Sequence, residues 1–369
     1  MKIVIFGLSI TSTWGNGHGN TYRALARALH ERGHRVIFFE HDLEWYRHNR
    51  DLPAPPFCEL HLFENWDEIL PRVGAELRDC ELAIVGSYFP DGTIALDEVL
   101  SSPAGVKAFY DIDTPITVAG LRQRGATDYL RSDQVRALDL YLSFTGGPML
   151  HEVMEVFGAP LAAPLYCSFD PEQYRPRGRS KRFGCDMSYM GTYAPDRQPK
   201  IDQLLTEPAR FLPNQKFIVA GPQYPKAVRW PANVKRIVHL NARWHPLFYS
   251  SSRLALNVTR RDMVLAGYSP SVRLFEAAAC GATIVSDNWA GLDTFFIPGD
   301  EILLPALSDD VVRYLRDIDD GELRRIGERA AERVRAEHTA AHRAGELEEL
   351  VEKAQRRHRQ TVTTTAKAV

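Results

Sequence analysis

The chain has 369 residues, a length that suggests about two domains, with 44% hydrophobic and 25% charged residues, as in soluble globular proteins. A net charge of −2 gives no bulk attraction for nucleic acid, and no apolar run approaches the roughly 20 residues that span a bilayer. Five scattered cysteines (Cys58, Cys80, Cys167, Cys185, Cys280) form no C-x-x-C pair, which fits reduced thiols in a cytoplasmic protein better than a disulfide framework or a zinc site.

Residues 2–6, Lys-Ile-Val-Ile-Phe, predict a buried strand that runs into Gly7. Residues 20–32 predict a helix with Tyr22, Leu25, Ala26 and Leu29 on one face and Gly33 as its stop. Strands follow at 35–40, 81–85, 106–110 and 140–144. Apolar strands without alternation, separated by helical patterns, predict a parallel sheet covered on both faces. Residues 163–182 then break the pattern with Pro164, Pro171, Pro176 and the basic run Arg175-Pro-Arg-Gly-Arg-Ser-Lys-Arg182. An interdomain linker fits here, and the basic run reads most simply as a solvated loop. The alternation restarts with strands at 186–190, 216–220, 234–240, 254–258, 282–286 and 301–304. Residues 321–354 read as helical, and 356–369, basic and then Thr-rich, as a disordered tail.

Functional loops of such sheets sit at the carboxyl ends of strands. The first is Leu8–Gly19, with Gly15, Gly17 and Gly19. It lacks the last glycine of G-x-G-x-x-G and the Gly-Lys-Ser/Thr of a P-loop, so Glu40 at the end of the second strand is a weak mimic of a dehydrogenase's ribose acid. His18 in this loop is a candidate acid or base, or only orders the loop. Asp113, in Tyr110-Asp-Ile-Asp-Thr-Pro115, is a candidate base or merely the cap of the next helix. His151, near the 144–148 loop, carries no assignment.

The most informative stretch is Ser269-Pro-Ser-Val-Arg-Leu-Phe-Glu-Ala-Ala-Ala-Cys-Gly281. Ser269 is expected to cap a helix and Pro270 to occupy its first turn, leaving amides that favour an anion. Arg273 can add a bidentate phosphate contact. Glu276, three residues on, can accept from a ribose diol. On spacing alone the two could equally form an ordinary exposed i,i+3 ion pair.

Arg273–Ala282 resembles the donor-site helix of GT-B glycosyltransferases, in the branch that includes CgeB-like spore-maturation proteins. The segment 15–36 is similar to the opening of many GT-B transferases. The resemblance implies two Rossmann-like domains facing across a cleft: an acceptor domain at 1–165, a linker at 166–184, a donor domain at 185–335, and a helix at 336–355 that crosses back to the first domain. It implies a nucleotide diphosphate-sugar donor, an unidentified acceptor (glycan or small molecule) and no cofactor. Donor contacts are then expected from Arg273, Glu276, Arg260, Arg197, Ser271 and Asp287, with His239 and Leu240 near the base. A turn role for Asp287 is equally open. No D-x-D metal motif stands beside these arginines, so protein cations and helix amides are expected to stabilise the leaving group in place of a metal. One departure matters. Retaining relatives carry E-x₇-E; Glu276 matches the second glutamate, and Tyr268 stands at the first. Retention and inversion both stay open. A nucleotide-sugar epimerase and a non-catalytic nucleotide-binding protein are the alternative readings.

Overall fold

The structure, a computed structural model, describes every residue but Asn16 and Val369; the side chains of residues 358, 359 and 361–368 are also outside the description. It divides into two compact units, Met1–Cys167 with the segment from Ala340 onward, and Ser168–Thr339. In unit 1 the strands are β1 (Lys2–Phe6), β2 (Arg35–His41), β3 (Glu59–Phe63), β4 (Leu82–Gly86), β5 (Val106–Asp111), β6 (Leu140–Ser143) and β7 (Ala162–Pro164). Among the described residues they form one sheet in the order β3-β2-β1-β4-β5-β6-β7, and every neighbouring pair is parallel.

Unit 2 holds β8 (Cys185–Met190), β9 (Phe217–Ala220), β10 (Val234–Ile237), β11 (Ser252–Asn257), β12 (Thr283–Ser286) and β13 (Ile302–Leu303). Their order is β10-β9-β8-β11-β12-β13, again all parallel. Each unit thus has the doubly wound 3-2-1-4-5-6 order, with its switch point between the first and fourth strands. The central strands β1, β4, β11 and β12 are buried almost along their length, as the unalternated apolar runs require.

The expected strands all form, with ends shifted by a few residues. β3 and β7 were not expected. Both are sheet edges: β3 is mostly half-exposed and polar (Glu-Leu-His-Leu-Phe), and β7 ends in Pro164, so neither shows an apolar run. β10 stops at Ile237 rather than running to 240, because Val238 and His239 turn out into solvent. The first helix begins at Gly17 rather than Asn20.

The region expected to be a linker, 166–184, is instead largely a built part of unit 2: Phe169, Tyr174 and Phe183 are buried, and the chain changes unit at Cys167–Ser168. At the other end, residues 336 and 337 finish the helix Asp320–Glu337, and the return to unit 1 starts at Ala340. The helix Ala340–Ala368 packs by Ala344, Leu347, Val351 and Ala354. The expected disordered tail, 356–369, therefore starts inside this helix; Val369 and most side chains of the segment lie outside the described residues.

Glu348 ties that helix to the first one's end, accepting from Arg32 Nε at 2.8 Å and meeting His34 Nε2 at 2.6 Å. Arg32 and His34 hold the Glu348 carboxyl down at about 2, below its ordinary value. The folded value lies under the unfolded one, so the stabilisation is present above about pH 4.5 and fades as the pH falls toward 2. Glu348→Gln should cost up to about 1 kcal/mol at neutral pH, since the group is largely solvated. Urea melts should show this difference shrinking below pH 4.5; a pH-independent difference would refute the assignment.

Candidate donor and acceptor sites

At the carboxyl end of unit 2's sheet, the loops after β8, β11 and β12 converge. Their centre is Asn257, the last residue of β11 and almost fully buried. Its Oδ1 accepts from Ser271 Oγ and from Arg273 Nη1, both at 2.8 Å. Its Nδ2 donates to Ser286 Oγ at 3.0 Å and Thr259 Oγ1 at 3.2 Å. Sequence reasoning gave Asn257 no role; the signal was a polar residue ending an apolar strand at a switch point.

The helix after this loop is Val272–Ala279, with Ser271 at the cap position. The expectation that Ser269 caps it and Pro270 occupies its first turn is corrected. Gly267 and Tyr268 both take left-handed backbone (φ 68° and 47°), so the chain turns before Ser269 and enters the helix two residues later than expected. Ser271 does not cap by its side chain, because its hydroxyl is given to Asn257. Arg273 sits in the first turn. Its Nε donates to the Met190 carbonyl, and its guanidinium lies over the Tyr189 ring at 5.0 Å. A Cβ at Gly191 would stand 2.9 Å from Arg273 Nη2 and 2.6 Å from the Tyr189 hydroxyl, so only glycine leaves the guanidinium this place.

Glu276 is 3% exposed. The Tyr174 hydroxyl bonds its carboxylate and lies 3.3 Å from His245 Nδ1, while His245 Nε2 donates to the Leu240 carbonyl at 3.1 Å. This is a built carboxylate site, unlike the exposed i,i+3 pair. Leu240 is buried and His239 exposed. Tyr174 was missed because it lies in the segment expected to be a linker, and His245 because it lies between two expected strands in a stretch that carried no expectation.

Asp287 is buried, and burial pushes its carboxyl up. Its oxygens accept Thr259 N–H at 3.1 Å, Thr259 Oγ1 at 3.0 Å and Ser286 Oγ at 3.3 Å. These contacts match the turn role and leave little of the carboxylate for a sugar. They fix the approach to Arg260, which is half-buried at the start of the helix Arg261–Ala266. Arg197 donates from Nη2 to the Thr192 carbonyl at 2.6 Å, and Asp196 accepts Arg261 N–H at 2.9 Å, so the 191–197 and 259–261 loops are laced together.

Unit 1 is built the same way. Buried Glu40 accepts from Ser9 Oγ at 2.9 Å, Ile10 N–H at 2.6 Å, and Thr11 N–H and Oγ1 at 3.0 and 2.6 Å. It is the anchor of the first loop. Asp51 holds the loop's far side through Thr13 and a two-pronged pair with Arg23. Gly15 takes φ 63°, and Gly17 opens the helix. At Gly19 a Cβ would lie 2.7 Å from the Ser12 carbonyl oxygen, which enforces glycine. Asn16 lies outside the described residues.

His18 stands in the first turn of the helix Gly17–Glu31, its ring 5.6 Å from that of Tyr88. Tyr88 donates to Asp113 Oδ2 at 2.8 Å. Asp113 is at the cap position of the helix Thr114–Arg124, with Pro115 in the first turn, yet its side chain makes no cap hydrogen bond. Burial lowers the His18 pKa, outweighing the attraction of Asp113. The structure thus gathers His18, Asp113 and the unforeseen Tyr88, whose left-handed φ of 63° turns the chain just past β4. Asp111 and Asp113 have D-x-D spacing, but Asp111 is buried, raised to about 6 by that burial, and already accepts Tyr141, Thr117 and the Asp113 amide. The pair does not offer two open carboxylates to a metal. His151 is exposed.

Residues 197–349 match a family model described as glycosyl transferase-like. Sucrose-phosphate synthase from Thermosynechococcus elongatus is similar in structure, with a TM-score of 0.67 and 13% identity, covering 99% of this chain and 100% of that one. HepE of Anabaena, solved with UDP-glucose, gives 0.67 and 13% over 96% of this chain and 100% of that one. An alpha-glucosyltransferase solved with UDP-glucose and abasic DNA gives 0.70 and 13% over 95% and 99%. The chain has the fold of these GT-B glycosyltransferase structures. A search of curated proteins found no match.

In this GT-B chain, Asp287→Ala should leave the Thr259 amide and hydroxyl buried without an acceptor, at a cost of about 1–3 kcal/mol. Asp287→Asn keeps one acceptor oxygen and should cost less. Chemical denaturation of both variants checks the order; two melts equal to wild type would show that Asp287 does not hold the turn.

Proposed function

We propose that the protein transfers a glycosyl group from a nucleoside diphosphate sugar, with the donor held by unit 2 and the acceptor hydroxyl activated in unit 1. The observation that carries this is the Arg273–Glu276 helix set at a switch point, inside a segment matching a glycosyl transferase-like family. Glu276, preset by Tyr174, takes the ribose diol. Arg273, Arg260 and Arg197 take the diphosphate, whose charge grows as the sugar leaves, so cations fixed beforehand lower the barrier. His239 and Leu240 border the base. The fixed arginines support a reaction that needs no metal, and activity that persists in EDTA would bear this out. UDP is the first nucleotide to test, because HepE and the alpha-glucosyltransferase were solved with UDP-glucose. The finer likeness to the CgeB-like branch rests on residues 273–282 alone.

In unit 1, His18 is kept neutral near pH 7 by burial and can accept a proton; Asp113, oriented by Tyr88, can hold the acceptor hydroxyl. If His18 is the base, the anomeric centre inverts. A retained product would instead assign His18 to positioning.

Two outcomes test the reading. In a thermal-shift panel of UDP, GDP, dTDP, CMP and ADP compounds, one nucleotide should raise the melting temperature by mass action. Glu276→Gln should weaken that ligand at least about tenfold with the fold intact; unchanged calorimetric affinity would sink the donor assignment. Donor isomerised without acceptor would favour an epimerase, and binding without turnover a non-catalytic protein. For the base, the acid limb of kcat/KM should fall below the ordinary histidine range, about 6.5, and His18→Asn should abolish that limb. A limb that persists in the variant would assign the base elsewhere.

A further inference from the structure

We propose that unit 2 carries a second site, for a phosphate monoester, at the end of its sheet opposite the donor residues. A cavity of about 240 Å³ opens there, lined by Arg177, Arg179, Arg253 and Arg324. Ser252 and Thr283, the first residues of β11 and β12, also line it, whereas Asn257 and Ser286 end those strands. With a rise of about 3.3 Å per residue, the two ends of β11 are roughly 17 Å apart.

The charge balance favours an anion. Asp320 and Glu328 are the carboxylates on the wall, and Asp320 is taken up by Arg253 Nε at 2.7 Å. Among the described residues, the guanidinium groups of Arg177, Arg179 and Arg324 have no ion pair or hydrogen bond. This contrasts with Arg325, Arg329 and Arg333 on the same helix as Arg324, each of which is paired. Arg335 adds a further positive charge near Cys280 on the cavity wall.

The basic run is also not a loose loop where it meets the cavity. Arg177 N–H donates to Ser250 Oγ and Ser180 N–H to Ser251 Oγ, both at 3.0 Å, which pins the backbone carrying Arg177 and Arg179 against the sheet. Planar guanidinium forks on a fixed backbone suit bidentate capture of phosphate oxygens. The volume lies below the roughly 300–1,000 Å³ of sites that enclose drug-sized ligands. It therefore suits a phosphate with a small organic group rather than a second nucleotide sugar. Such a group can come from a free phosphorylated metabolite or from a lipid headgroup.

The test uses the full chain with glycerol 3-phosphate, followed by calorimetry, and with vesicles containing phosphatidic acid, followed by sedimentation. The variants are R177A/R179A, R324A and, as a donor-site control, R273A. The expected result is saturable glycerol 3-phosphate binding that weakens about tenfold or more in R177A/R179A and in R324A and is unchanged in R273A. Vesicle capture by wild type, lost in R177A/R179A, with no binding of the free phosphate, would support the same site with a lipid headgroup as its source. The proposal is overturned if neither probe binds, if binding survives in both arginine variants, or if R273A abolishes it. Unchanged melting of ligand-free R177A/R179A shows that a loss is not unfolding.

Discussion

One buried amide organises the carboxyl end of unit 2's sheet. Asn257 stands where β11 leaves the sheet, and its two polar atoms meet Ser271, Arg273, Thr259 and Ser286. A parallel sheet covered on both faces has no room for polar side chains along its strands. Its strand ends are where backbone groups run out of ladder partners and polar side chains gather. Asn257 can accept twice and donate twice, and here both capacities are used. Removing it would strand several buried groups at once, each costing on the order of 1–3 kcal/mol. Unit 1 solves the same problem with a carboxylate: Glu40 accepts from three successive loop positions, 9, 10 and 11.

This anchoring bears directly on chemistry. An arginine that is free in solvent loses side-chain entropy when it closes on a phosphate. Arg273 has already lost it, through Met190, Asn257 and the Tyr189 ring. The same holds for Glu276, kept in one orientation by Tyr174. Groups fixed before the ligand arrives stabilise developing charge without reorganising, which is the general route by which such sites act. The proposed anion site differs in kind: three of its arginines carry no partner among the described residues, so their charge is unspent, while their backbone is held.

The sequence disclosed the architecture well because central parallel strands are apolar runs that periodicity detects. It disclosed the edges badly: β3 is polar and β7 short, and neither needs to be apolar to pair on one side only. The helix Val272–Ala279 was visible through Arg273 and Glu276, but its start was misplaced, since a left-handed tyrosine is not a turn signal that composition provides. Tyr174, His245 and Tyr88 were invisible for another reason. Each acts through a contact made far along the chain, with Glu276, Tyr174 and Asp113 respectively, and no local pattern encodes such pairs. For Asp287 the sequence left a sugar contact and a turn role equally open, and only the hydrogen-bond partners of a buried acid at a strand end tell them apart.

Tyr268 shows how the two jobs interact. By the resemblance to retaining GT-B enzymes, its position is the one expected to carry the first of two glutamates. Here it holds φ 47°, a conformation costly for a residue with a Cβ, and its amide donates to Ala290 O at 2.7 Å. Its ring lies where a Cβ on Gly291 would come within 2.3 Å, so the two positions are matched to each other. The strained backbone at Tyr268 and the glycine that leaves room for its ring together shape the turn leading into the helix Val272–Ala279. On the proposed reading, a tyrosine here would not offer the sugar the full negative charge of a carboxylate. Charge would then be handled on the leaving-group side by Arg273, fixed in place, and by the group that takes the acceptor's proton, the part proposed for His18.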